Sequence, residues 1–333
     1  MKILITGGCG FVGSNLAIYF KEQLKRCKID SLDNLSRSGS VLNYKRLKKR
    51  NIKNFTIDVS RINALEKLPR YDLIIDCCAE PAVEASKKEL NRVFNTNLLG
   101  TFNILKKCSK DKSDIIFLST SRVYSITKLR KLNNKNFLIN ENFDTMGPKS
   151  IYGYCKFSSE HLIKEFSFLY KIKYVINRLG VISGPWQFGK QDQGFVSYWI
   201  WNHMNKKKLT YKGFDGKGIQ IRDVVHILDV CKLILLQVKK IKNINNKIIN
   251  VGGGKKNSIS LKNLTKICQR ITSNKIKIFS NKKTSNYDIP YYITDNSKVK
   301  KMYNWNPQES FLQIVRDVHK WLNSNKEVLK KYI

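Results

Sequence analysis

Short apolar runs alternate with longer amphipathic segments through the first half of the chain. The short runs are typical of strands that are buried on both faces, and the longer segments repeat apolar residues at the spacing of helices. Such alternation predicts an α/β fold in which helices cover both faces of a parallel, doubly wound sheet. The predicted strands are 2–6, 28–33, 54–58, 72–78, 114–119 and 173–179, and the predicted helices include 11–26, 87–108 and 151–170.

The pattern changes beyond residue 180, where the elements become shorter and glycine, tryptophan and lysine become frequent. The chain has 333 residues, which exceeds the usual size of a single domain. We therefore predict an α/β domain over 1–180 and a smaller, less regular lobe over 181–333. The runs 248–254 and 261–271 have strand-like and helical patterns, so we expect part of the lobe to pack back on the sheet.

The chain is strongly basic, with 62 lysines and arginines against 25 acidic residues and a formal charge of +37. A basic protein can bind nucleic acid, but here the charge is spread over helices and loops, and no nucleic-acid-binding motif accompanies it. We therefore predict no nucleic-acid partner. The charge is expected to favour the approach of an anionic small substrate.

The sequence gives no indication of a membrane segment, of export or of a metal site. No apolar stretch approaches the roughly 18–20 residues that a helix needs to cross a bilayer. The start MKILITGG turns to glycine too early for a signal peptide. The cysteines and histidines lack the spacing of metal ligands, and we expect the cysteines to be reduced. These features predict a cytoplasmic protein without membrane contacts.

A glycine-rich segment, TGGCGFVGSN (6–15), follows the first predicted strand and opens the first predicted helix. Gly7, Gly10 and Gly13 give the spacing that lets a backbone turn tightly and approach a pyrophosphate at a helix N-terminus. Asp33, at the end of the second strand, is placed to bind ribose hydroxyls. An acid there disfavours a 2′-phosphate and so favours NAD over NADP, although Arg37 lies nearby in the sequence. Asp58 and Val59 end the third strand and are candidates for the adenine edge.

The segment YGYCK (152–156) carries a tyrosine and a lysine at positions i and i+4. On a helix, this spacing puts Tyr152 and Lys156 on one face. An ammonium beside a phenol lowers the pKa of the phenol, so Tyr152 is a candidate general acid and base and Lys156 a candidate ribose ligand. Tyr154 has no such partner, because residue 158 is Ser158.

Three hydroxyl residues, Ser119, Thr120 and Ser121, follow the apolar run 115–118. An apolar run that ends in small polar residues is typical of a buried strand that reaches the rim of a parallel sheet, where ligands bind. The residues alone do not decide which hydroxyl takes part in chemistry.

Together these motifs resemble those of the extended short-chain dehydrogenases/reductases that act on nucleotide sugars, the NAD-dependent epimerases and dehydratases. The resemblance extends over nearly the whole chain. It implies a Rossmann-type domain, an NAD cofactor and an enzyme that acts on a nucleotide-linked sugar. It rests on TGGCGFVGSN, DNLS, AEPAV, NTNLLGT, STSRVY, YGYCK, QIRDVVH and NVGGG, and on the late segment around Asp288 and Asp295.

The resemblance implies an active site of Tyr152, Lys156 and one strand-end hydroxyl. Counting back from Val123, that hydroxyl falls on Thr120. Family dehydratases carry an Asp-Glu pair directly after it, whereas this chain has Ser121 and Arg122, and an arginine cannot act as an acid. The resemblance therefore favours epimerisation over dehydration. The implied cofactor contacts are Gly7, Gly10, Phe11, Val12, Gly13, Asp33, Asn34, Ser36, Asp58, Val59, Cys78, Ala79, Asn97, Tyr152 and Lys156.

Within the family, the sequence is most similar to the CDP-paratose 2-epimerases, through DNLSRSG, QFGKQDQG (187–194) and GKGIQIRDVVH (216–226). This likeness implies inversion at C2 of CDP-paratose to give CDP-tyvelose. Alternatives are another nucleotide-sugar epimerase, such as a UDP-glucose 4-epimerase, or a 4,6-dehydratase or reductase. The implied substrate contacts are Thr120, Gln187, Asp192, Gln193 and Arg222.

Two features on the substrate side leave alternatives open. Arg222 matches a position at which family members contact the nucleotide diphosphate, but an ion pair with Asp223 or Asp229 would also account for it. Relatives often carry an arginine where this chain has Ser285, and a neighbouring lysine, Lys282 or Lys283, is a candidate replacement. The resemblance further implies a homodimer formed through helices 87–108 and 151–170.

Overall fold

A seven-stranded parallel sheet forms the centre of the fold, and helices flank it. The computed structural model describes residues 1–81, 89–132, 137–191, 193–243 and 246–333. The strands are β1 Lys2–Thr6, β2 Lys28–Leu32, β3 Lys53–Phe55, β4 Leu73–Asp76, β5 Asp114–Thr120, β6 Tyr174–Leu179, β7 Val181–Ser183, β8 Leu209–Lys212, β9 Ile221–His226, β10 Lys247–Val251, β11 Ser258–Ser260, β12 Ile278–Asn281 and β13 Tyr291–Tyr292.

The helices account for the longer amphipathic segments. The segments Asn95–Leu99 and Ser121–Val123 form a π-helical and a 3-10 turn respectively. The α-helices are α1 Phe11–Gln23, α2 Ser40–Lys49, α3 Ile62–Glu66, α4 Leu90–Phe94, α5 Gly100–Asp111, α6 Ile126–Arg130, α7 Ile151–Tyr170, α8 Phe195–Met204, α9 Ile227–Lys240, α10 Leu261–Thr272, α11 Ser297–Tyr303, α12 Phe311–Ser324 and α13 Lys326–Leu329.

The strand order of the large sheet is β10-β6-β5-β4-β1-β2-β3. From β1 the chain winds outwards through β2 and β3, and then returns to β4 and winds outwards in the other direction. The carboxyl ends of β1 and β4 therefore meet where the winding reverses, which is where open α/β sheets bind ligands. The doubly wound α/β fold predicted from the sequence is confirmed.

The core of this sheet lies on both of its faces. Consecutive residues of β1 and β5 are almost completely buried, among them Ile3, Leu4, Ile115 and Phe117. A strand that is covered on both faces must be apolar at successive positions, which explains the short continuous apolar runs of the sequence.

The described residues form two compact units, each made of three segments. The first unit comprises Met1–Val123, Ser150–Arg178 and Cys231–Ile249, and it contains most of the large sheet. The second unit comprises Tyr124–Lys149, Leu179–Val230 and Asn250–Ile333, and it contains the sheet order β11-β9-β13, with β7 on β9, and the pair β12-β8. The domains 1–180 and 181–333 proposed from the sequence stay a prediction, since a compact unit need not be a domain.

The predicted elements of the first half are present, with differences at their ends. The predicted strand 72–78 ends at Asp76, because Cys77 and Cys78 already turn away from β4. The predicted helix 87–108 begins outside the described residues and continues as α4, the π-helical turn and α5. Among the helices that the structure describes, none is long and apolar enough to cross a membrane.

Candidate active site

The glycine-rich turn joins β1 to α1 and packs tightly on itself. Gly7 has a positive φ of 60°, and a Cβ there would lie 2.8 Å from the Cys77 carbonyl oxygen. A Cβ at Gly13 would lie 2.3 Å from the Gly7 carbonyl oxygen. The Gly10 N–H donates to that same oxygen at 2.9 Å. Both Gly7 and Gly13 are therefore required by the close approach of backbone to backbone.

The N-terminus of α1 has the properties of a pyrophosphate site. Gly10 is the N-cap residue, and no side chain caps the helix. A Cβ at Gly10 would meet two atoms of Gly7 within 4 Å and would otherwise point into open space. The first N–H groups of a helix, here beginning at Phe11 and Val12, attract anions. The residues present therefore fit the pyrophosphate of a dinucleotide.

Asp33 lies beside this turn, at the end of β2. Its carboxylate accepts hydrogen bonds from the N–H of Cys9 at 3.0 Å and of Leu35 at 2.8 Å. Burial raises the pKa of Asp33, although these hydrogen bonds and the nearby Arg37 oppose the rise. Asp33 therefore lies next to the glycine turn, and its role as a ribose ligand stays a prediction.

Asn34 and Asp58 are brought together from the ends of β2 and β3. The Asn34 side-chain amide donates to Asp58 Oδ2 at 2.8 Å, and the N–H and hydroxyl of Ser60 donate to Oδ1 at 2.9 and 2.7 Å. Burial alone would raise the pKa of Asp58, but these hydrogen bonds outweigh it and the net pKa is lowered. Val59 is buried, whereas Ser36 is exposed and its N–H donates to Asn34 Oδ1.

The loop after β4 lies between the glycine turn and α7. The Cys78 carbonyl oxygen accepts a hydrogen bond from Lys156 Nζ at 3.1 Å. Ala79 packs against the apolar cluster of Val93, Tyr152 and Cys155. The side-chain amide of Asn97 accepts from the N–H of Glu80 and donates to its carbonyl oxygen, both at 3.1 Å. Cys78, Ala79 and Asn97 therefore lie around one loop, and their role as cofactor contacts stays a prediction.

Tyr152, Lys156 and Thr120 come together at the end of β5. The Thr120 side chain lies close enough to the Tyr152 phenol to lower its pKa, and both residues are buried. Lys156 is almost completely buried, and its ammonium lies 4.3 Å from the centre of the Phe117 ring. One turn of α7 separates the phenol from the ammonium, so one buried helix face carries both groups.

The pKa shifts of this pair are set mainly by burial. Burial raises the pKa of Tyr152, and the nearby Thr120 hydroxyl and the positive charges of Arg122 and Arg37 oppose that rise. Burial lowers the pKa of Lys156, with Asp76 opposing. The lowered tyrosine pKa expected from the sequence is therefore wrong in direction, because the desolvation of the phenolate outweighs the nearby cations.

Ser119 has a different task from Thr120. Its hydroxyl donates to Glu160 Oε1 at 2.6 Å, and Glu160 forms an ion pair with Arg178, in which Nη2 lies 2.8 Å from Oε2. Both charged groups are buried. The Glu160 carboxylate of α7 thus contacts Arg178 of β6 through the ion pair and Ser119 of β5 through the hydrogen bond.

Arg122 lies in the 3-10 turn after β5. Its N–H donates to Thr120 Oγ1 at 3.2 Å. A Cβ at Gly153 would lie 2.3 Å from the Arg122 carbonyl oxygen, so α7 can approach this turn only because residue 153 is glycine. The side chain at position 122 is a permanent cation close enough to Tyr152 to lower its pKa.

Comparison with known proteins identifies the family. The model of the NAD dependent epimerase/dehydratase family matches residues 3–252. The chain belongs to this family. It is an enzyme family that depends on NAD, in agreement with the fit of the glycine turn and Asp33 to a dinucleotide.

Similar proteins include several nucleotide-sugar enzymes. CDP-paratose 2-epimerase of Salmonella typhi is 28% identical, over 97% of this chain and 100% of the relative. UDP-glucuronate 4-epimerase of Thermodesulfobacterium geofontis is 27% identical, over 98% of each chain. The crystal structure of UDP-glucose 4-epimerase with UDP-glucose from Thermotoga maritima has a TM-score of 0.85 at 26% identity, and covers 98% of this chain and 100% of that chain.

In this epimerase/dehydratase family member, the segment QFGKQDQG belongs to the second unit. Gln187 Oε1 accepts from the hydroxyls of Ser183 and Ser197 at 3.0 and 3.2 Å, and Gln187 Nε2 donates to the Ile182 carbonyl oxygen at 2.9 Å. The side chain of Gln187 thus hydrogen-bonds to the end of β7 and to α8, on either side of its own loop. The backbone of Gln193 pairs with that of Lys190, and Asp192 lies outside the described residues.

Arg222 of β9 forms an ion pair with Asp288, in which Nη2 lies 2.9 Å from Oδ1. It also donates to the carbonyl oxygens of Ile289 at 2.7 Å and Ile221 at 2.8 Å. The partner differs from those considered from the sequence, since Asp223 accepts backbone N–H groups of Gly254 and Thr294 at 2.9 and 3.2 Å. Asp229 likewise accepts the N–H groups of residues 308 and 309.

Sequence reasoning missed two arginine contacts. Arg130 of α6 donates to the carbonyl oxygens of Ser285 at 2.7 Å and Asp288 at 2.9 Å, so a guanidinium contacts the backbone of Ser285. Arg37 Nη1 lies 2.8 Å from Glu80 Oε1. The local sequence gives no signal for either contact, because Arg130 is 155 residues from Ser285 and Arg37 is 43 residues from Glu80.

Proposed function

We propose that the enzyme is an NAD-dependent epimerase of a nucleotide-linked sugar. The observation that supports this proposal most directly is that the buried Tyr152 lies close to Thr120, on a helix face that also carries the buried Lys156. A tyrosine in this setting can take a proton from a sugar hydroxyl and return it. In this proposal the catalytic residues are Thr120, Tyr152 and Lys156.

The proposed reaction needs one proton carrier and one hydride carrier. NAD, when bound, accepts a hydride and gives it back. Tyr152 takes the proton of a ring hydroxyl as the carbon beneath it is oxidised to a keto group, and it protonates the oxygen when the hydride returns to the opposite face. Thr120 orients the hydroxyl, and Lys156 holds the cofactor and favours the phenolate. The sugar leaves with one inverted centre and no net redox change.

Arg122 supports epimerisation over dehydration. Elimination of water needs an acid to protonate the leaving hydroxyl, and a guanidinium keeps its proton at any physiological pH. The residue next to Thr120 is Ser121, which is also a poor acid. The reversible transfer of hydride and proton needs neither residue to titrate.

The proposed substrate is CDP-paratose, and the proposed product is CDP-tyvelose, by inversion at C2. The support is the full-length similarity to CDP-paratose 2-epimerase of Salmonella typhi, at 28% identity, and the segment QFGKQDQG. Gln187, Asp192 and Gln193 are the proposed sugar-side residues. Arg222 and Arg130, which both bind Asp288 or its backbone, are the proposed diphosphate-side cations, because guanidinium groups suit phosphate oxygens.

A second candidate is inversion at C4 of a UDP-sugar. It is favoured by the similarity to UDP-glucuronate 4-epimerase and to the Thermotoga maritima UDP-glucose 4-epimerase, which extends over 98% of the chain in both cases. The same catalytic residues would serve, because the carbon that reacts depends on how the sugar lies in the site and not on the acid–base pair.

One experiment tests the proposal and separates the candidates. Purified protein is first examined by mass spectrometry for NAD that co-purifies, and is then incubated with CDP-, UDP-, GDP- and dTDP-sugars. We expect NMR to show inversion at C2 of CDP-paratose without added NAD. Stoichiometric release of NADH would contradict the epimerase proposal, as would a product lighter by one water. Inversion of a UDP-sugar at C4 would instead establish the second candidate.

We further propose that the enzyme forms a homodimer through α4, α5 and α7. Within α4 and within α7, exposed apolar side chains lie three or four residues apart and so share one face of their helix, and exposed apolar patches mark interaction sites. A second copy of the chain would cover the same face, as in symmetric dimers. The exposed residues are Leu90, Phe94, Phe102, Ile151, Tyr154 and Phe168.

A further inference from the structure

A buried carboxylate with two arginine partners lies beside the candidate active site. Glu80 is 6% exposed, and it follows β4 by four residues. Its Oε1 lies 2.8 Å from Arg37 Nη1, and its Oε2 lies 2.9 Å from Arg92 Nη2. Arg37 comes from the segment after β2, and Arg92 comes from α4. Three separate elements therefore meet at one carboxylate.

This cluster is built into the surroundings of Tyr152. Val93, which follows Arg92 in the chain, belongs to one apolar cluster with Tyr152, and Ala79, which precedes Glu80, packs against that cluster. The fully buried amide of Asn97 holds both backbone polar groups of Glu80. The position of the carboxylate is thus fixed from its backbone as well as from its side chain, which is typical of a preorganised group.

We propose that Glu80 and Arg37 are positioning residues of the active site, which together hold the loop after β4 against Tyr152 and balance the charge around its hydroxyl. Two arginines and one ionised carboxylate give this cluster a net charge of +1, which would rise to +2 if Glu80 were protonated. This inference rests on the proposed role of Tyr152 as acid and base. No function proposed above requires Glu80, Arg37 or Arg92.

The charges act on Tyr152 in opposite directions. Glu80 raises the pKa of Tyr152, and Arg37 lowers it. The other groups that face the phenol are the Thr120 hydroxyl and Arg122, which both lower its pKa, and Lys156 lies one turn further along α7.

Further charges near the phenol have partners of their own. Arg92 binds Glu89 as well as Glu80. Asp76 receives hydrogen bonds from the hydroxyls of Thr6 and Thr101. Arg37 and Glu80 carry opposite charges. Removing Arg37 should therefore raise the pKa of Tyr152, and removing Glu80 should lower it.

The test is a direct titration of Tyr152 in the NAD-loaded protein. Tyrosine labelled with ¹³C at Cζ distinguishes phenol from phenolate by NMR, and the Tyr152→Phe variant identifies the resonance of Tyr152. We expect Glu80→Gln to lower the pKa of Tyr152, and Arg37→Gln to raise it, each by at least about half a unit. Arg37→Lys keeps the charge and should restore most of the wild-type value.

A purely structural role predicts a different pattern. General loosening of the loop would expose the phenol and move its pKa in the same direction in both variants. Glu22→Gln is the matched control, because Glu22 also pairs with an arginine, Arg50, but both side chains are about half exposed. This variant should leave the Tyr152 resonance unchanged.

The outcomes separate this inference from the proposed function. Equal pKa values in wild type, Glu80→Gln and Arg37→Gln would overturn the inference, as would shifts of the same sign. Turnover that survives Tyr152→Phe would instead overturn the proposed function. If Glu80→Gln does not fold, the comparison of Arg37→Gln with Arg37→Lys decides, since only the first removes the charge.

Discussion

Neighbouring hydroxyl side chains of β5 have different partners on α7. Side chains alternate along a strand, so Ser119 and Thr120 point in different directions. Ser119 reaches the buried carboxylate of Glu160, and Thr120 reaches Tyr152. One hydroxyl therefore belongs to the ion pair that fastens α7, and the other is the candidate for orienting a substrate.

The role of Tyr152 can be tested by removing its hydroxyl. We expect Tyr152→Phe to lower turnover by about 10²- to 10⁴-fold, because general acid–base catalysis contributes that much. NAD content should be unchanged, since the aromatic ring stays in place. Inversion of the sugar measured by NMR gives the rate. Tyr154→Phe is the matched control, because Tyr154 lies on the same helix but is exposed, and full activity loss in that variant would contradict the assignment.

The ion pair of Glu160 and Arg178 predicts a large effect on stability. Removing one partner of a buried pair leaves the other charge uncompensated and costs about 3–5 kcal/mol. We expect Arg178→Met to lower the free energy of unfolding by that amount in urea titrations. Arg50→Met provides the comparison, because its pair with Glu22 is exposed and should contribute at most about 1 kcal/mol. Equal effects of the two substitutions would show that burial does not matter here.

At the scale of elements, α7 is placed by its first turn. The Ser150 hydroxyl accepts the N–H of Gly153 at 3.1 Å, which caps the helix. The absence of a side chain at Gly153 lets the helix pack on the turn after β5. The capping residue and the glycine thus fix where Tyr152 meets Thr120.

Gly153→Ala should reveal this close approach. In an exposed helix, this substitution is stabilising by about 1 kcal/mol, because alanine has the higher helix propensity. Here the added Cβ would lie 2.3 Å from the Arg122 carbonyl oxygen, so α7 or the turn must move. We expect a loss of about 1–3 kcal/mol in stability together with a fall in turnover. A higher melting temperature for Gly153→Ala would show that the turn at Arg122 moves to accommodate the added Cβ without a cost in stability.

The segment of α4 and α5 shows where pattern alone falls short. Its apolar spacing predicts one continuous helix over 87–108, but the structure has a π-helical turn at Asn95–Leu99. The Asn97 side chain donates to the Val93 carbonyl oxygen at 2.9 Å, which is the acceptor that a regular helix offers to the residue 97 N–H. A partner 17 residues away, Glu80, holds this amide in place, and the local sequence carries no signal for that contact.

At the scale of the whole molecule, a high positive charge is combined with exposed apolar side chains on α4, α5 and α7. The formal charge of +37 should keep copies of the chain apart at low ionic strength. The exposed side chains of α4, α5 and α7 favour association instead. We therefore expect the dimer to be more stable in salt, which screens the repulsion but leaves apolar burial intact.

The homodimer is tested by placing charges on α4 and α7. The double variant Phe94→Glu, Tyr154→Glu should be a monomer at concentrations where the wild type is a dimer, because each buried carboxylate would lack a partner. Sedimentation or light scattering measures the mass. Leu312→Glu is the control, since Leu312 of α12 is equally exposed but lies elsewhere. A wild-type protein that is a monomer at all concentrations would contradict the proposal.

The sequence by itself determined the doubly wound α/β fold, the glycine turn with its carboxylate, and the family. These follow from local spacing, since apolar periodicity and closely spaced glycines act within a few residues. Tertiary structure alone decided which charges meet, because each contact joins residues that are far apart in the chain. It gave Arg222 the partner Asp288, Arg37 the partner Glu80, and Tyr152 a raised pKa through burial, which no motif encodes.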